Sequence, residues 1–163
     1  MKQTRVGLWF ALCITMLAAL PALAAEKPIN ISLITPISLV KAEDGVSAFR
    51  LDLIYGRNTS VKVVDIGLIN HTTTGLSSGL QLGTVNFTEH ASNGIQLGFV
   101  NYNKGSGQGF EWAGVNYAET GGGLQLAFVN YAGTMKGVQI GAINIIKKGG
   151  MFPVMIIANW GKS

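Results

Sequence analysis

The chain has 163 residues and a formal net charge of +4, and 48% of its residues are apolar. Its only cysteine, Cys13, lies in the amino-terminal apolar run, so the rest of the chain must be stabilised without a disulfide. Lys147 and Lys148 form the only basic pair after residue 25, and this weak basic character argues against a nucleic-acid partner.

Residues 1–25 have the layout of a cleavable secretory signal. Lys2 and Arg5 precede an apolar run from about residue 6 to residue 20, and Pro21 and small residues follow. A membrane anchor is the alternative, but the run is short and ends at Pro21. Without Lys2 and Arg5, ten basic residues face eight acidic ones, so the net charge falls from +4 to +2. We therefore expect an exported protein in the periplasm, the outer membrane or at the cell surface.

Residues 26–45 precede the repeated part of the chain. The stretch INISLITPISLV is rich in β-branched residues and predicts a strand. We expect this amino-terminal segment to cap the first repeat, because the end of a repeat array must cover an open edge.

Residues 46–163 repeat one phrase, Gly-apolar-Gln-apolar-small-x-apolar-Asn, about eight times. The closing residue, called here the repeat Asn, recurs every 14 to 16 residues, and Tyr55 takes its place in an earlier copy. The seven occurrences are Asn70, Asn86, Asn101, Asn116, Asn130, Asn144 and Asn159. Such a regular period predicts a tandem-repeat fold. An Asn at this place sets a turn, and stacked copies can hydrogen-bond to one another in a ladder, so we expect a structural role.

Each phrase has the alternation of a β-strand. The positions six and four before the repeat Asn are apolar, and the position between them, called here the Gln slot, is mostly polar. Its occupants are Arg50, Asp65, Gln81, Gln96, Glu111, Gln125 and Gln139. We expect the apolar positions to face the core and the Gln slot to face solvent, so that replacing Gln125 has little effect. Small residues such as Gly83 and Gly98 predict a bend just before the repeat Asn, where backbone passes close to backbone.

Two architectures fit this pattern. One is an all-β solenoid with about eight rungs of 14–16 residues, each stacked in parallel on its neighbours. The other is a small antiparallel β-barrel of eight or nine strands in an outer membrane. The solenoid is favoured because a barrel would place Thr84, Gly114 and Ala142 on its lipid face, and because the loops lack the usual short-long alternation. In the last copy Val154 and Ile156 replace Gln and a small residue, which predicts a terminal unit buried on both faces.

The tandem stretches GLQLGTVN, GIQLGFVN, GLQLAFVN and GVQIGAIN resemble a bacterial surface-repeat family first noted in leptospiral proteins. The resemblance extends from about residue 46 to residue 161. It implies an exported, envelope-associated repeat protein with no assigned activity. The copy at residues 110–114 departs from the phrase, since Glu111 and Trp112 replace Gln and Leu.

Candidate catalytic or metal-binding residues are few. His71 and His90 lie in polar stretches that predict exposed turns. Asp65 and Glu111 share the Gln slot, where a row of carboxylates could bind calcium, but the Gly-Asp-rich nonapeptide pattern of calcium-binding β-rolls is missing. We therefore expect no catalytic set, no metal and no cofactor.

Aromatic residues recur at or beside the repeat Asn. They are Tyr55, Tyr102, Tyr117, Tyr131 and Trp160. A row of these rings could stack sugars or contact lipid, although covering a corner of the core is the favoured interpretation.

The sequence thus predicts a non-enzymatic cell-envelope repeat protein that provides a rigid structural, adhesive or protein-binding surface. Its expected partner is an unknown protein or envelope component, with association with the outer membrane as an option. The alternative function follows the alternative fold, a small outer-membrane anchor or pore.

Overall fold

The computed structural model describes residues 25–162, and the predicted signal at residues 1–25 lies outside this range except for Ala25. The described residues form an all-β structure. Its strands are β1 (Glu26–Ile34), β2 (Ile37–Ser38), β3 (Gly45–Asn58), β4 (Val64–Thr72), β5 (Leu76–Thr88), β6 (Ala91–Leu97), β7 (Val100–Lys148) and β8 (Val154–Lys162).

Successive repeats stack in parallel. Equivalent residues pair from rung to rung along the series Phe49, Val64, Leu80, Ile95 and Phe110. The extended strand β7 then continues the coil through two further repeats. The result is a β-solenoid of about six turns, which confirms the predicted fold class. Parallel pairing also means that the antiparallel alternative is wrong for these rungs.

The divergent copy at residues 110–114 keeps the register of its neighbours. Gln96 pairs with Glu111, and Leu97 pairs with Trp112. The first copy is less regular, because a bulge shifts the pairing of β3 with β4. Gly56, and not Tyr55, therefore lies beside Asn70.

A glycine in a left-handed conformation makes one corner of each regular turn. It stands seven residues before the repeat Asn, and its φ is 106° in Gly109 and 88° in Gly123. A Cβ atom on Gly123 would lie 2.2 Å from the carbonyl oxygen of Gly109, one rung below. Only glycine adopts these angles readily, and only glycine leaves room for such a close stack.

The two ends depart from the parallel stack. At the start, β1 pairs in parallel with β3, and the short β2 folds back antiparallel on β1. At the other end, β8 pairs antiparallel with β7. Phe152 stands where five other copies have the corner glycine, and Pro153 lacks the N–H group that Leu80 donates at the same position, so this copy does not repeat the regular turn. Ile156 and Ile157 are exposed, so the expectation that the last copy is buried on both faces is wrong.

The interior of the solenoid is polar, which reverses the predicted orientation of the strands. Every member of the Gln slot is buried, as is every repeat Asn. The flanking apolar positions lie on the outside, as at Ile95 and Trp112. The expectation that Gln125 is exposed is therefore wrong. The interior can be polar because its amides hydrogen-bond from rung to rung, which lowers the usual cost of burying them.

The clusters of buried apolar residues lie near the ends of the stack. One cluster consists of Val40, Val46 and Val61, and the other of Ala132, Met135 and Ile146. These clusters close a polar interior at each end of the stack.

Candidate functional site

The repeat Asn residues form one ladder of hydrogen bonds through the interior. The Nδ2 group of each Asn donates to Oδ1 of the Asn in the next rung, over distances of 2.8 to 3.1 Å. The ladder contains Asn70, Asn86, Asn101, Asn116, Asn130 and Asn144. Asn159 lies in the antiparallel strand and donates instead to backbone carbonyl groups, including that of Phe152 at 2.9 Å.

Each repeat Asn also fixes the backbone near the bend. Asn130 Nδ2, for example, donates to the carbonyl oxygen of Ile140 at 3.0 Å as well as to Asn144. The small residues predicted to permit a bend lie against this ladder, since a Cβ atom on Gly83 would fall 2.6 Å from Nδ2 of Asn70. The ladder therefore joins neighbouring rungs through both side chains and backbone.

The Gln slot forms a second ladder that donates in the opposite direction along the stack. Gln139 Nε2 donates to Gln125 Oε1 at 2.8 Å, and Gln125 Nε2 donates to Glu111 Oε2 at 2.6 Å. Asn103 Nδ2 bridges the next step by donating to both Glu111 and Gln96. Both ladders are enclosed, so their amides are not available as a row for binding a ligand.

Buried charges occupy the first rungs of the interior. The guanidinium group of Arg50 donates from Nε and Nη2 to the two carboxylate oxygens of Asp65, both at 2.7 Å. Asp52 Oδ2 lies 2.9 Å from the same Nε atom, but neither Asp52 oxygen accepts a hydrogen bond. Burial raises the pKa of Asp52 to about 7, and the charge of Arg50 offsets only part of this effect.

Glu111 is the second buried carboxyl group with a raised pKa. Burial raises the pKa of Glu111 to about 7, although the hydrogen bonds from Gln125 and Asn103 oppose this shift. Gln81 and Gln96 lie between Asp65 and Glu111 in the stack, so the two acids do not form the row that could have bound calcium. Among residues 25–162 there is no group of three or more His, Cys, Asp or Glu residues that could hold a metal ion.

The two histidines lie in different environments and do not meet. His71 is half-buried in β4, so the expectation of an exposed turn residue is wrong for it. Its Nδ1 is 2.7 Å from the hydroxyl of Tyr55, and its Nε2 is 2.8 Å from Oε1 of Glu89. Burial lowers the pKa of His71, which favours the neutral ring. His90 is exposed, as expected.

The aromatic residues form a continuous row on one outer side of the solenoid. Most of them directly follow the repeat Asn, and neighbouring ring centroids lie 4.5 to 6.0 Å apart. The row consists of Tyr55, His71, Phe87, Tyr102, Tyr117 and Tyr131. Sequence reasoning did not assign His71 and Phe87 to it. Trp160 lies in β8, apart from the row. The last three rings stack within 5° of parallel, so they present their edges and not their faces to a ligand.

Apolar side chains cover much of the outer surface. Large side chains that are well exposed occur in nearly every rung, and the exposed fraction is 60% for Trp112 and 70% for Phe128. Contiguous apolar surface of this extent is rare on a monomer and marks a site of interaction. Such a surface suits contact with a partner along its length, whereas Asp52, Asp65 and Glu111 are enclosed.

No family model, curated protein or solved structure was found to match this chain. Within residues 25–162, the structure has no helix of the length and hydropathy needed to cross a membrane.

Proposed function

We propose that this protein is an exported, non-enzymatic cell-envelope protein whose solenoid offers a rigid surface for binding another protein or envelope component. The proposal rests mainly on one observation: amide side chains lie inside the solenoid and apolar side chains lie outside, the reverse of the usual distribution. Burying apolar surface contributes about 25 cal/mol per Å². A partner that covers the outer columns is therefore strongly favoured.

The amide ladders supply the rigidity that such a surface needs. Bonds between Asn116, Asn130 and Asn144 join three successive rungs, so their outer side chains stay at a fixed spacing. A partner then binds without ordering a flexible segment, which reduces the entropic cost of association.

A non-enzymatic role is supported by the positions of the titratable groups. Asp65 is paired with Arg50 inside the solenoid, and Glu111 is engaged in the Gln ladder. His71 is held between Tyr55 and Glu89, whereas His90 stands alone at the surface. Each of these groups is therefore already engaged within the fold or stands apart from the others.

Export is the part of the proposal that rests on residues 1–25. Cell fractionation of the producing bacterium tests it, together with sequencing of the protein's amino terminus. We expect the protein in the envelope fraction, beginning near Ala25 or Glu26. Recovery from the cytoplasm with Met1 or Lys2 at its start would contradict the proposal.

The binding role is tested by retention of the purified protein on envelope material after polar substitution of the outer surface. Val138→Thr together with Ile140→Thr removes two well-exposed apolar side chains while keeping β-branched residues in the strand. We expect retention to fall. The matched control is Lys147→Thr, an exposed substitution outside the apolar columns, which should leave retention unchanged. Equal retention of all three proteins would refute a role for this surface.

A further inference from the structure

One outer column of the solenoid alternates large and small residues from rung to rung. It consists of the residues two before each repeat Asn, and is called here the corner column. Its members are Leu68, Thr84, Phe99, Gly114, Phe128 and Ala142. Phe99 and Phe128 are 69% and 70% exposed, and Leu68 is 52% exposed. The large residues therefore project from the surface at every second rung, about 9.6 Å apart.

Backbone hydrogen bonds establish that these residues are direct neighbours. The N–H of Phe99 donates to the carbonyl of Thr84 at 2.9 Å, and the N–H of Gly114 donates to the carbonyl of Phe99 at 2.9 Å. The Phe99 ring leans towards Gly114, with Cε2 3.4 Å from where a Cβ atom would stand. Each large side chain thus has a gap beside it that a second large side chain could enter after a change of rotamer.

The order of sizes gives the corner column two-fold complementarity. When two copies of the column run in opposite directions about an axis between the rungs of Gly114 and Phe128, both phenylalanines meet a small residue, and Leu68 lies beyond the overlap. Phe128 faces Gly114 of the second copy, and Phe99 faces Ala142 of the second copy. Both contacts occur twice, as an isologous interface requires.

The surroundings of the corner column suit such an interface. The positions four and one before each repeat Asn flank it with apolar residues, among them Trp112, Val115 and Ile143. No charged residue interrupts this strip in any of its six rungs from residue 66 to residue 143. Its exposed apolar surface is on the order of the ~800 Å² per partner that a stable interface buries.

We infer that the corner column is a dimer interface, and that its partner is a second copy of this chain in antiparallel orientation. The inference rests on the proposed function, since it identifies a partner for the apolar exterior. A fluid lipid surface accepts any apolar side chain, so it gives no reason for large and small residues to alternate. A rigid and identical column does give such a reason, because its projecting side chains need gaps at the same spacing.

The test is a set of variants that exchange a projection and a gap. Phe99→Ala leaves two gaps facing each other, and Ala142→Phe places two rings against each other. We expect each to weaken self-association by roughly ten- to a hundredfold. The double variant restores one ring against one gap, so its association should return to within a few-fold of the original. The matched control is Phe152→Ala, which truncates an exposed ring outside the column and should leave association unchanged.

The measurement is the mass of the purified protein over a concentration series, after expression of the full sequence, with far-UV circular dichroism to check the fold. Phe99→Ala fills no gap and relies on no new packing, so it tests the inference even if Ala142→Phe does not fold. A monomeric original protein, or a folded double variant as weak as either single one, overturns the inference. The inference is also overturned, in favour of a lipid surface, if the Ala142→Phe variant stays monomeric and binds phosphatidylcholine vesicles more tightly than the original protein does. The mass of the purified protein does not depend on where the protein lies in the cell. A monomer found in the envelope therefore contradicts only the inferred dimer. A dimer found in the cytoplasm contradicts only the proposed export.

Discussion

The interior and the exterior of this solenoid use opposite kinds of side chain for opposite purposes. Inside, amides such as Asn130 and Gln125 donate to the same slot in one neighbouring rung and accept from it in the other. Outside, large apolar residues such as Phe128 stand in the open. Hydrogen bonds between rungs therefore contribute most to holding the stack together, and the outer apolar side chains remain exposed for burial against a partner. The comparison predicts that inward changes reduce stability and outward changes reduce binding.

The largest loss of stability should come from the corner glycines. Gly109→Ala places a side chain at a φ of 106° and its Cβ atom 2.2 Å from the carbonyl oxygen of Gly94. The strain and the clash together should cost roughly 3 kcal/mol or more of unfolding free energy, measured by chemical denaturation. The control lies in the same rung, because Gly114→Ala meets its nearest atom at 3.1 Å and should cost much less. Equal losses would mean that the corner does not have this geometry.

The Asn ladder should come next. Asn130→Leu removes the amide that accepts from Asn116 and donates to Asn144, which leaves buried polar groups without partners. We expect a loss of about 1–3 kcal/mol in unfolding free energy. Asn93→Leu is the matched control, since Asn93 is exposed and should tolerate the change. If the ladder did not stabilise the fold, Asn130→Leu and Asn93→Leu would have the same free energy of unfolding.

The buried carboxyl groups should make stability depend on pH. The pKa values of Asp52 and Glu111 rise from 3.8 and 4.5 to about 7 in the folded state, so that state holds their protons more tightly than the unfolded chain. Their contribution to stability is present below about pH 4 and is lost as the pH rises through about 7. Each group can contribute up to about 1.4 kcal/mol per pH unit within that window.

We expect the melting temperature to be higher at pH 5 than at pH 8, and Glu111→Gln to reduce the difference. Glutamine suits this position because it continues the amide ladder found in Gln96 and Gln125. The exposed Glu119 provides a control in the same rung, where Glu119→Gln should keep the full pH dependence. If the Glu111→Gln variant also kept the full pH dependence of the melting temperature, Glu111 would not be a buried acid.

Outward changes should affect the stability of the isolated chain least. Ile140→Thr alters a side chain that is already 43% exposed, so we expect a loss of about 0.5 kcal/mol or less in unfolding free energy. Its inward neighbour Gln139 is fully buried, and Gln139→Leu should cost more because it interrupts the Gln ladder. Thermal melting of both variants decides the order, and a larger loss for Ile140→Thr would contradict the assignment of inside and outside.

The sequence contained enough information for the repeat, the parallel stack and the close backbone passage. The period of the repeat Asn predicted the rungs, and small residues such as Gly83 correctly predicted tight packing against the neighbouring rung. The alternation of polar and apolar residues could not show which face of each strand points into the solenoid. It separates Gln96 from Ile95, but assigning the apolar side to the core relied on a general preference that amide ladders override.

The last repeat also escaped prediction for a local reason. Asn159 keeps the period, yet Phe152 replaces the glycine that forms the left-handed corner in other copies. Glycine is not required in every parallel rung, because Val63 holds this position just before β4. Pro153 adds a second departure, since it has no N–H group to donate to a neighbouring rung, and the segment returns antiparallel.

The reactivity of single cysteines shows which face of each strand points into the solenoid. In a Cys13→Ser background, Ile95→Cys and Gln96→Cys place thiols at adjacent positions with opposite orientations. We expect rapid labelling of Ile95→Cys in the native state, and labelling of Gln96→Cys slower by roughly a hundredfold or more, since it requires the fold to open. Both should react equally in denaturant. Rapid labelling of Gln96→Cys with protection of Ile95→Cys, in folded proteins, would mean that the faces point the other way.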